Sequence, residues 1–139
     1  MPPFTPTPVT VIEVVAPVIV AFLFIALCGI LREPTRQQFS AVFVGGAGAA
    51  YLSGGFGLLE LVFTAIITLL SLRGLRDYRA IGVAWLLHSG WDLMHDWWGN
   101  PILPFVPNSS FGCFVCDPVI AIWYFLGAPT FWRRARQST

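Results

Sequence analysis

Residues 38–72 run QFSAVFVGGAGAAYLSGGFGLLELVFTAIITLLSL, and the fold turns on whether they make one long helix or two. The centre, Tyr51-Leu52-Ser53-Gly54-Gly55-Phe56-Gly57, is apolar enough to continue a helix, yet paired glycines are natural turn formers. Charge decides between the two. All eight basic residues are arginines, in three short clusters: Arg32 and Arg36, then Arg73, Arg76 and Arg79, then Arg133, Arg134 and Arg136. One long helix would place Arg32 and Arg36 opposite the other six. A turn at Ser53-Gly54-Gly55 brings all eight to one side, as the positive-inside rule requires of short membrane loops.

Working outward from that turn, the chain is expected to be all-α, a polytopic transmembrane helix bundle of five short-to-normal helices. They fall at approximately 9–31, 38–53, 56–72, 80–98 and 118–132, with the N-terminus outside and the C-terminus cytoplasmic. Residues 1–139 would form a single integral membrane domain, in the plasma (inner) membrane if the source is bacterial. A hydrophobic content of 56% with 11% charged residues fits this class. A net charge of +1 without a basic face argues against a nucleic-acid partner. Met1 to Pro8 has no basic region and no small-residue cleavage site follows, so the first helix is expected to remain in place.

Helices two and five span only about 22–24 Å at 1.5 Å per residue, against a hydrocarbon core of about 30 Å. With their arginine ends pinned, the shortfall is expected outside, as a hollow under a Pro-rich lid at 99–117. In helix two, Gly45 with Ala49 and Gly46 with Ala50 form small-xxx-small pairs suited to close packing.

Of seven acidic residues, Glu33 and Asp77 lie in arginine loops, while Glu13, Glu60, Asp92, Asp96 and Asp117 map to the outer half. Ionisable groups in a membrane cost roughly 2.5 to 3.5 kcal/mol each on the insertion scale, so five at one level need a shared reason. The strongest signal is His88-Ser-Gly-Trp-Asp92-Leu-Met-His95-Asp96. Its His88, Asp92, His95 and Asp96 share an arc of roughly 100° on one helix face. Such nitrogens and oxygens can ligate a divalent metal, with zinc, iron and manganese equally suited. The competing explanation is a polar cluster that fixes helix packing. Glu60 and Asp117 are the candidate general bases, and Thr64, Thr68 and Ser71 continue from Glu60 at helical spacing. Such hydroxyls most simply bond their own i−4 carbonyls. Glu13 could merely reach the interface.

Asp117 and Pro118 look like the N-cap and first residue of the last helix, which sets Cys113 and Cys116 just ahead of a helix N-terminus. The pair could be a disulfide, a redox couple or two metal ligands. Cys28 is most simply an apolar filler.

The segments Gly46-Ala-Gly-Ala-Ala-Tyr-Leu-Ser-Gly-Gly55, Ala84-Trp-Leu-Leu-His-Ser-Gly-Trp-Asp92 and Gly99-Asn-Pro-Ile-Leu-Pro-Phe-Val-Pro-Asn-Ser-Ser-Phe-Gly-Cys113, with Cys116-Asp117, carry a resemblance. Together they resemble a family of small bacterial integral membrane proteins catalogued only as a domain of unknown function, over roughly Arg32 to Pro129. The resemblance implies a membrane protein and no particular activity. Locally, the Cys-x-x-Cys is also similar to that of quinone-coupled thiol oxidoreductases, without their second cysteine pair.

Three functions stay open, and with them whether the protein is an enzyme. One is a divalent-metal site that hydrolyses a lipid-like substrate or passes ions. Another is a thiol–quinone oxidoreductase using Cys113 and Cys116. The third is a non-enzymatic subunit of a larger membrane complex or a homo-oligomer. Membrane lipids are partners in all three.

Overall fold

The computed structural model describes residues 9–52, 55–103 and 105–130. They form five α-helices and, among the described residues, no strand: α1 (Val11–Ile30), α2 (Thr35–Ala49), α3 (Leu58–Gly74), α4 (Tyr78–Trp98) and α5 (Ser109–Phe125). The end of the last expected helix and the third arginine cluster lie outside the described residues, as do Ser53 and Gly54 of the expected turn.

The 38–72 stretch is two helices. Helix α2 stops at Ala49 and α3 starts at Leu58, and between them Gly55 and Gly57 adopt φ of 110° and 59°, which side chains with a Cβ resist. The two helices then pack through glycine, at Gly45 of the expected pairs and at Gly48, while Gly46 meets nothing within 4 Å. A Cβ on Gly48 would lie 2.5 Å from Ile67 Cγ2, and one on Gly45 would lie 2.9 Å from Ser71 Oγ. Across this close contact Thr64 donates to the Gly48 carbonyl (3.0 Å) and Ser71 to the Ala41 carbonyl (2.5 Å). Only Thr68 bonds its own i−4 carbonyl, that of Thr64 at 2.8 Å. The hydroxyl row below Glu60 therefore ties α3 to α2.

The expected start of the last helix is corrected. Helix α5 begins at Ser109, so Cys113, Cys116 and Asp117 lie inside it and the irregular connection shrinks to 99–108. Pro118 is an interior residue rather than the first. It cannot donate to the Phe114 carbonyl one turn back, and Ser89 of α4 does so instead at 3.0 Å. A neighbouring hydroxyl thus lets the helix run through its proline.

Helix α4 is central, packing on α3 and α5 with a smaller contact to α2, while α1 lies mainly against α5. Helix α1 opens with a capping box in which Thr10 and Glu13 bond reciprocally, and it buries one seam, Ala21, Ile25 and Cys28. It is long and apolar enough to cross a membrane. Beside a buried hydrophobic core that includes Val44, Ile67, Ile81 and Trp123, large apolar side chains lie outside and ionisable ones inside. Leu58, Leu69, Ile122 and Phe22 face outward at 59–74% exposure, while Glu60, His88, Asp92, His95 and Asp117 are 0–3% exposed in the core.

The two ends differ in chemistry. At one end lie the 31–34 and 75–77 connections with exposed Arg32, Arg73, Arg76 and Arg79. There Arg36 is buried and bonds Glu33 (Nε to Oε1, 2.8 Å) and the Tyr78 hydroxyl (3.2 Å). Burial pushes the Glu33 carboxyl up, but the hydrogen bonds from Tyr78 and Arg36 outweigh it and hold the group below its ordinary range. At the other end the 50–57 turn meets the 99–108 connection, where Gly55 adjoins Asn100.

Candidate functional site

The stripe on α4 divides into two sites. His88, in the middle of α4, meets Asp92 one turn later and Asp117 of α5, with Nδ1 3.0 Å from Asp92 Oδ2 and 2.9 Å from Asp117 Oδ2. Its Nε2 lies 2.9 Å from the carbonyl of Ala47 in α2. A carbonyl only accepts, so Nε2 carries a proton, and Nδ1 is turned toward two carboxylates that also accept, so it either carries a second proton or is bare toward a cation. With Nδ1 bare, this would be the tautomer that second-shell carbonyls impose on metal-bound histidine. The Ala47 carbonyl already accepts the Ala50 N–H at 3.0 Å where α2 ends, and its second lone pair is the one that faces His88 Nε2.

Two carboxylates against one imidazole nitrogen, all 0–3% exposed, require a positive charge among them, either a proton or a cation. The ligand atoms of His88, Asp92 and Asp117 lie within 4.8 Å of one another, close enough to share an ion. The second oxygen of Asp92, Oδ1, is buried without a hydrogen-bond partner among the described residues.

His95 belongs elsewhere. Its Nδ1 donates to the Trp91 carbonyl (3.0 Å), and its Nε2 faces Glu60 Oε1 at 3.0 Å. Glu60 lies in the first turn of α3, where it accepts from the Phe56 backbone N–H (3.1 Å) and the Trp91 indole (3.2 Å). The Tyr51 ring stacks on His95 with centroids 3.9 Å apart, and Phe56 and Trp91 meet it edge-on. Glycine at 99 is a matter of space, since a Cβ there would fall 2.7 Å from His95 Cδ2. Every polar atom of this pair has a partner.

Asp96 joins neither group. It is partly exposed and has no hydrogen-bond partner among the described residues. Glu13 also stands apart, accepting from Thr10 and from the Asn108 side chain, which moors the 99–108 connection to α1. Instead of one hollow collecting the acids, there are a packed triad, a packed ion pair and two peripheral carboxylates. Cys113 and Cys116 carry free thiols, and with α1 and with Ile102, Leu103, Val106 and Pro107 they line an apolar groove of about 520 Å³.

Sequence reasoning missed Tyr51, Ser110, Trp91 and the Ala47 carbonyl. Tyr51 lies between the sites, its ring stacked on His95 and 6.0 Å from that of His88, and its hydroxyl donates to Ser110 Oγ at 2.9 Å. Nothing in local spacing announces a contact across 59 residues.

Fold and site together define a five-helix all-α protein with a buried His–Asp–Asp group at its centre. The chain belongs to the family of unknown function DUF6010, whose profile matches residues 12–130. No curated protein and no solved structure matches it.

Proposed function

We propose that this is a polytopic membrane protein, N-terminus outside and arginines in the cytoplasm, that holds a divalent cation at His88, Asp92 and Asp117. The observation that carries the reading is His88 itself. Its Nε2–H is fixed on the Ala47 carbonyl, while Nδ1 is aimed at two carboxylate oxygens 2.9 and 3.0 Å away. Membrane residence is supported by the outward apolar and inward ionisable faces and by the gathering of arginines at one end.

Between hydrolysis and ion passage, burial favours the ion. Side chains 0–3% exposed leave no face on which a lipid-like substrate could reach the triad, whereas a small cation needs only a narrow approach. Glu60 stands with His95 and not with the triad, so it supports no general-base role beside the metal.

Elemental analysis of detergent-purified protein tests the proposal. Wild type and His95→Ala should carry bound divalent metal, and His88→Ala and Asp92→Asn should lose it. Equally low metal in all four would overturn it.

A second reading draws on the groove. Cys113 and Cys116 stand three residues apart in α5 on the wall of an apolar space of about 520 Å³, within the size range of small-molecule sites. There the two thiols could give two electrons and two protons to a quinone, forming a disulfide and a quinol. Reduced protein should then convert a short-chain quinone to its quinol, and Cys116→Ser should not. Equal rates in the two would dismiss it.

A further inference from the structure

Tyr51, in the 50–57 turn, is 2% exposed and lies against the polar face of α4. Its ring stacks on His95 at 3.9 Å and stands 6.0 Å from that of His88. Asp92 falls between the two histidines on that face, four residues after one and three before the other. The Tyr51 hydroxyl accordingly lies beside the Asp92 carboxylate. Asp92 Oδ2 is taken by His88, so the oxygen left over for Tyr51 is Oδ1.

The same hydroxyl touches Ser110 Oγ of α5 at 2.9 Å, and Ser110, 0% exposed, also accepts the Ile102 N–H at 3.2 Å. A hydroxyl has one proton and two lone pairs, and only one proton fits between two hydroxyls. Donation from Tyr51 to Ser110 leaves lone pairs of the phenol facing Asp92, acceptor against acceptor. In the reverse sense Ser110 donates to Tyr51, and the Tyr51 proton is free for Asp92 Oδ1. A chain then runs from the Ile102 N–H through Ser110 and Tyr51 to Asp92, every bond pointing the same way, an arrangement in which each bond strengthens the next. Carboxylates that ligate metal are themselves held by such outer hydrogen bonds, and losing one costs about 10–100-fold in metal affinity.

We infer that Tyr51 is a positioning residue of the cation site: its proton turns from Ser110 to Asp92 Oδ1, Ser110 donates in its place, and Asp92 is held with Oδ2 toward the cation beside His88 Nδ1 and Asp117. This rests on the cation reading and adds to it two side chains, from the 50–57 turn and the first turn of α5, that touch no metal themselves. The contact of Ser110 with Ile102 anchors the chain in the 99–108 connection.

The test is zinc(II) affinity of the full chain in detergent, measured by competition with a chelator. Tyr51→Phe keeps the ring on His95 and removes only the hydroxyl, and should weaken zinc binding at least about tenfold. Tyr124→Phe removes an equally buried hydroxyl that lies away from the triad, and should leave the affinity unchanged. Ser110→Ala, the second variant, should weaken zinc binding on its own and by nothing further once Tyr51 is Phe, a non-additivity that general loosening of the bundle would not produce. Wild-type affinity in Tyr51→Phe or in Ser110→Ala, an equal loss in Tyr124→Phe, or additive losses in the double variant would overturn the inference while the cation reading stands. Wild type that takes up no zinc, manganese or iron would overturn the cation reading and this inference with it.

Discussion

His88 and His95 sit on one face of one helix, yet their surroundings ask for different things. His95 has a single carboxylate partner whose two oxygens also accept an indole and a backbone N–H, so its charges and hydrogen bonds close on themselves. His88 has two carboxylates on one nitrogen, a carbonyl on the other, and an aspartate oxygen left over. A closed pair holds helices together, whereas a group with an excess of acceptors invites a cation. The same residue types therefore read as structure at one level of the bundle and as a binding site about 10 Å further along, by the helical rise over seven residues.

The comparison breaks most visibly if the two histidines are exchanged in role. His88→Ala should abolish bound metal and, by stranding two buried carboxylates, lower stability by about 3–5 kcal/mol. Metal analysis and thermal unfolding in detergent would show it, while His95→Ala should lose stability and keep its metal. Next in size is the carboxylate test. Glu60→Leu, which leaves His95, Trp91 and Phe56 without their acceptor, should cost about 3–5 kcal/mol with metal retained. Glu60→Gln, which keeps an acceptor oxygen in place, should cost much less.

Two glycines sharpen the contrast. Gly48→Ala drives a Cβ into Ile67 and should cost about 1–3 kcal/mol. Because it shifts α2 at the carbonyl next to Ala47, it should also weaken metal affinity, measurable by competition with a chelator. Gly99→Ala presses on the His95 ring instead, and should cost a similar amount of about 1–3 kcal/mol with metal affinity unchanged. The smallest effect belongs to neither histidine. Glu33 titrates below its ordinary value of 4.5, so its contribution to stability is present above that pH and lost as pH falls through its lower folded value. Glu33→Gln should flatten that part of an acid-unfolding curve and leave metal content alone at neutral pH.

Much of the site was legible. His88 and Asp92 are one helical turn apart, and that spacing alone places them together. The same arithmetic argues against His95 as a ligand to one ion with His88, because seven residues rise about 10 Å, more than ligand atoms around one ion span. Sharing an arc of a helix was necessary for a common site and not sufficient. Asp96 shows the same limit from the other side, since its place on the stripe did not bring it a partner on another helix. Pro118 misled for a different reason: the carbonyl that a proline leaves free inside a helix can be satisfied by a neighbour, and Ser89 is such a neighbour.

By itself the sequence determined five helices, the break between Ala49 and Leu58, the common end of the five described arginines and the polar face of α4. These follow from composition, glycine conformation and periodicity, all local properties of the chain. Only the tertiary structure decided that Asp117 completes His88, that Glu60 claims His95 and that the Ala47 carbonyl fixes the His88 proton. Each of these is a contact between helices 29 to 41 residues apart in sequence, set by which faces of α2, α3 and α5 come to rest on α4. Local propensity carries no information about that choice; close packing of helix on helix, as at Gly48 against Ile67 and Gly82 against Phe125, does.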